Sequence, residues 1–111
     1  MNTALLILQD TLAKQNQALR KRIVETDDPA VAQALLNEMT EVSHRIQLVG
    51  SLMFAAQSEE LDDAVDKVKG AVTKVNKAIA KLGDVTKLLG AISKFLGLVD
   101  DAIDVAKLLL L

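Results

Sequence analysis

The chain has 111 residues, half of them apolar, with no cysteine, one proline, five glycines and a formal net charge of −2. That length holds one domain, the apolar half rules out a largely disordered chain, and the missing cysteines exclude disulfide, thiolate-metal and thiol redox chemistry. So little turn chemistry excludes a β-sandwich or barrel. Phe54 and Phe95 are the only aromatics, too few for a single-strand stacking platform, and the net acidity disfavours nucleic acid as a partner.

No basic residue precedes the apolar run at 5–8, so a secretory signal is not expected. The closest approach to a membrane span, residues 85–99, is interrupted by Lys87 and Lys94. The expected location is cytoplasmic, with membrane association or non-classical export left open.

Taken in order, the elements read as helices throughout. Over residues 3–26, Leu5, Leu8, Leu12, Leu19 and Ile23 recur at helical spacing, and Asn16 falls on the same stripe. A polar residue in such a position sets register at some expense of stability. Lys14, Gln15, Gln17, Lys21 and Arg22 are expected on the opposite side. The Arg20-Lys21-Arg22 run suits a helix C-terminus better than a phosphate site. Residues 26–29, Thr-Asp-Asp-Pro, end this helix, with Asp28 as cap and Pro29 in the first turn of the next. So short a turn makes the two helices antiparallel.

The second helix is expected over 29–57, with a stripe through Val31, Leu35, Met39, Val42, Ile46, Val49, Met53 and Ala56. Gly50-Ser51 is its weak point. Glu41 and His44 form a Glu-x-x-His pair, but one histidine cannot complete a two-metal site within a chain, and an ordinary boundary histidine is the expectation. Ser58, followed by Glu59 and Glu60, reads as a fresh helix start or as a solvated kink in a longer helix.

Beyond it, Leu61, Val68, Val75, Leu82, Leu89, Leu96, Ile103 and Leu110 lie seven residues apart. Their companions follow four residues later as far as Leu82 and three residues later beyond it. That change predicts a break or kink near 83–84. The first six of these residues and Ile103 form an expected interaction seam, with Asn16 setting register. From Val85 onward the apolar face widens until it covers more than half the helix circumference, which demands cover on more than one side. The cover is a bundle, a second copy or lipid. In the lipid case Leu88, Phe95 and Leu98 face the membrane.

Charge is blocked: residues 59–66 carry five acids, and 67–94 carry seven lysines against one aspartate. Asp100, Asp101 and Asp104 then restore acid. A chain that turns back near 83–84 gathers both acidic blocks at one end.

The expectation is an all-α, single-domain helical bundle over 1–111. A helical hairpin (3–57, turn at 26–29) precedes a heptad-patterned segment (58–111). No catalytic, cofactor or metal residues are expected. The function read from this pattern is a non-enzymatic assembly module that self-associates or binds a helical partner. The alternative is a toxin-like, membrane-active bundle that uses residues 85–111.

Overall fold

Three of the helix starts carry their own signals. In the computed structural model, which describes residues 1–81 and 85–110, four helices stand among the described residues: α1 (Thr3–Glu25), α2 (Pro29–Ser51), α3 (Glu59–Ala80) and α4 (Val85–Leu110). Asn2 caps α1 by accepting from the Leu5 amide at 3.1 Å. Asp28 caps α2 by accepting from the Ala30 amide at 2.9 Å, with Pro29 at the first turn. Ser58 caps α3 by accepting from the Leu61 amide at 3.0 Å, and three acids occupy that helix's first turn. No strand occurs among the described residues, in keeping with the all-α expectation. The heptad segment forms two helices, whereas Leu82 and the break expected at 83–84 lie outside the described residues.

The helices pair as two hairpins. Asn16 of α1 reaches Ser43 of α2 and Gln9 reaches the Ile46 carbonyl, which makes α1 and α2 antiparallel. Lys67 shares a groove with Leu98, and Lys77 and Lys81 share another with Lys87, so α3 and α4 are antiparallel too. Between hairpins the neighbours are parallel: α1 lies beside α3, and α2 beside α4. The end of α2 and the start of α3 therefore sit at diagonal corners of the same end, and residues 52–58 must cross it.

That crossing is pinned by Asn2, only 1% exposed. Its amide donates to the Met53 carbonyl at 2.8 Å, and its Nδ2 donates to the Ala55 and Ala56 carbonyls at 3.1 Å each. Gln57 adds a side-chain bond to Thr3 at 3.1 Å. Helix α2 thus ends at Ser51, short of the 57 expected from its stripe. The stripe continues because Leu52, Met53 and Ala55 are buried under α1 as irregular backbone. The Ser51 hydroxyl donates to the Leu48 carbonyl at 2.6 Å, the kind of local bond that competes with helix continuation. Gly50 matters by closeness: a Cβ there would stand 3.3 Å from Gln9 Nε2.

The core runs the length of the bundle. Leu5, Leu8, Leu12 and Leu19 of α1 and Leu35, Val42 and Val49 of α2 meet Leu61, Val65, Val68 and Val75 of α3 and eight residues of α4. Two expectations for α1 are corrected. Gln15 and Arg22, placed by pattern on the outside, are buried. The steps 5, 8, 12, 15, 19, 22 continue one seam, and these polar residues inherit its inward positions.

Asn2→Ala removes two donors from buried carbonyls as well as a cap, and is expected to lower unfolding free energy by about 2–3 kcal/mol. Asn2→Ser keeps a capping oxygen but not the donors to the Ala55 and Ala56 carbonyls. Urea unfolding should place it between the alanine variant and the parent, which apportions the loss between cap and crossing.

Candidate interaction surface

The expected seam is spent inside the chain. Leu61, Val68, Val75, Leu96 and Ile103 are buried in the bundle core and Leu89 is half-buried, so their heptads meet the other helices of the same protein. Leu88 and Phe95, which would face lipid in the membrane-active alternative, are also in the core, while Leu98 is half-buried in the α3–α4 groove. The broad apolar face of α4 is accounted for by its position, since both α3 and α2 pack on it.

Polar groups between helices fix the arrangement. Asn16 donates from Nδ2 to Ser43 Oγ at 2.9 Å, so its register contact is across the first hairpin, and its buried Oδ1 has no partner. Gln15 is 2% exposed and its Nε2 is likewise unpartnered. Arg45 joins the hairpins: Nε and Nη2 donate to the two carboxylate oxygens of Asp100 at 2.8 and 3.0 Å. Its Nη1 donates to the Glu41 carboxylate at 3.0 Å. The bidentate bond to Asp100 is the main reason the Arg45 guanidinium holds its proton more tightly than usual. Glu41 is therefore engaged with Arg45, and His44 is exposed on the outside of α2. No group of three or more His, Asp or Glu residues that could hold a metal ion occurs among the described residues.

With the seam internal, contact with other molecules falls to the outer faces. Between α1 and α3 lies an open groove of about 660 Å³, bordered by the half-exposed Leu6 and Ile7 and by Val72. At the crossing end, Met1, Phe54 (83% exposed) and Leu108 (71% exposed) present apolar surface.

The outer face of α3 and α4 is the most ordered of these. Its floor is half-buried Ala64, Ala71, Ala78 and Ala91, continued by Leu98 and Val105. Toward the crossing end it is lined by Glu60, Asp63 and Asp101 together with Lys67, and toward the other end by Lys74, Lys77, Lys81 and Lys87. Along α3 and its cap, exposed Glu59, Asp63 and Asp66 lie toward the crossing end and exposed Lys74, Lys77 and Lys81 toward the other, with Lys67 and Gly70 between them. Blocked charge is legible from sequence, but which of these charges share a face depends on counting steps of four and three among polar residues.

Comparison with known proteins gives no relationship: no family model, no curated protein and no solved structure matches the chain.

Two variants test the polar interior. Gln15→Leu removes an unpartnered buried amide while keeping much of the volume, and should raise stability by about 1 kcal/mol in thermal unfolding. The Glu38 carboxyl is raised above its ordinary value, first by burial and then by the neighbouring Glu41 carboxylate, with Arg45 opposing. A raised folded-state value means that stability present below the unfolded-state value is lost as pH rises through the folded-state one. Glu38→Gln should therefore stabilise the protein at pH 7, and urea midpoints should converge with those of the parent as pH falls through the carboxylate range.

Proposed function

We propose that this protein is a non-enzymatic helical interaction module that self-associates through the outer face of α3 and α4. One observation carries the reading: the exposed stripe of that face is acidic in one half and lysine-rich in the other. A surface of this kind complements a copy of itself, and its apolar floor supplies the area a contact needs. The heptad residues then serve as the scaffold that keeps the stripe straight.

A second reading, a membrane-active bundle, is favoured by the apolar end at Met1, Phe54 and Leu108. No helix among the described residues is long and apolar enough to cross a membrane. With Leu88 and Phe95 in the core, deeper insertion would require the hairpins to open.

Molar mass by light scattering, read at low and high salt, separates the two. Self-association through opposed charges predicts a multiple of the chain mass at low salt that falls toward the monomer at high salt. A monomer at every concentration, together with salt-resistant flotation on liposomes, would favour the membrane reading instead.

A further inference from the structure

Two polar side chains of α1 are buried without a partner, and both line the space between α1 and α3. Gln15 is buried with its Nε2 unpartnered. Arg22 is 8% exposed, and its guanidinium takes part in no hydrogen bond or ion pair among the described residues. Glu25 lines the same stretch one turn further on but forms no ion pair with it. Buried polar groups nearly always find partners, so two on one seam call for an explanation. Leucine at either position would simply extend the run of Leu5, Leu8, Leu12 and Leu19.

The groove of about 660 Å³ is lined by Gln15, and a second of about 330 Å³ by Arg22. Ala18 and Asn76 line both, so the two form one furrow along the α1–α3 boundary. Seven residues are two helical turns, which puts Gln15 and Arg22 on one face about 10 Å apart. Half-exposed Leu6 and Ile7 lie two turns beyond Gln15, toward the crossing end. In a protein of net charge −2 the furrow is basic, with Lys14, Lys21, Arg22 and Lys69 against Asp10 and Glu25. It also offers more donors than acceptors. The Asp10 carboxylate is engaged by Lys14 at 3.0 Å, and the Thr11 hydroxyl donates to the Ile7 carbonyl. A peptide, with an N–H at every residue, would leave most of its donors unmet there, whereas an acyl chain has none.

We infer that the α1–α3 furrow binds a long-chain carboxylate with a hydroxyl near the middle of its chain, a hydroxy fatty acid. The carboxylate pairs with the Arg22 guanidinium, whose fork suits two oxygens. The hydroxyl meets the Gln15 amide, which is both donor and acceptor, so it matches either way round. The apolar end lies along Leu6 and Ile7. From Arg22 to Ile7 is about 22 Å along the helix, the length of an extended long-chain acid. The furrow is on the other side of α3 from the face proposed for self-association, and its occupancy does not rest on that reading.

Isothermal titration with stearate, its mid-chain hydroxy derivative and the methyl ester of that derivative, all below the onset of micelles, tests the site. The parent should bind one hydroxy acid per chain, about tenfold more tightly than stearate and than the ester. Gln15→Leu, expected to stabilise the free protein, should still bind stearate and lose the preference for the hydroxy acid. Arg22→Gln should keep the parent's helical circular dichroism, lose the preference for acid over ester, and bind both acids about tenfold more weakly. No binding by the parent would overturn the site. So would equal binding of all three ligands that neither variant changes, the mark of adsorption on exposed apolar surface such as Phe54. A hydroxyl preference that survives Gln15→Leu would overturn the assigned pose.

Discussion

Residues 52–58 must carry the chain diagonally across one end of the bundle, and the buried carbonyls of that crossing need donors. Helical backbone satisfies itself, whereas irregular backbone under a helix does not. Asn2 meets this need from the neighbouring helix start, giving one donor from its backbone and two bonds from its side-chain amide while its oxygen caps α1. The hairpin arrangement follows from it. With the crossing held diagonal, α3 lies beside α1 rather than beside α2, and α4 completes the square against α2.

The helices themselves were readable because each buries one side of a regular stripe, and α1, α2 and α3 begin at residues that cap them. Asp28-Pro29 was unambiguous in physical terms, whereas Ser58 also admitted a solvated kink; at each site one side-chain oxygen accepts a first-turn amide. The end of α2 was not readable from apolar spacing, because Leu52 and Met53 are as buried as the helical residues before them. Hydropathy reports burial, not backbone conformation, and the Gly50-Ser51 pair was the only local sign. Gln15 misled for the complementary reason. Its polarity argued for solvent, while its place in the seam decided for the interior.

The face of α3 and α4 was legible only in part. Blocks of acid and lysine are visible in one dimension, but their meaning depends on the chain turning back so that like charges become neighbours. Apolar residues of the same segment carried the stronger signal and drew attention to a seam that the bundle uses internally. The polar stripe beside it is what the self-association proposal rests on. Such a division is physically reasonable: apolar burial supplies stability without direction, and charge supplies direction at modest energy.

The Asn2 latch also bears on how two chains can share structure. Hairpins joined by a single crossing are candidates for exchange between molecules, since extending the connection lets each hairpin pack on the other chain's partner. Here extension would strip Asn2 from three carbonyls and Gln57 from Thr3, and would expose Leu52, Met53 and Ala55. The connection is therefore a poor hinge. Exchange of hairpins between molecules would have to begin with the loss of those bonds and of that burial.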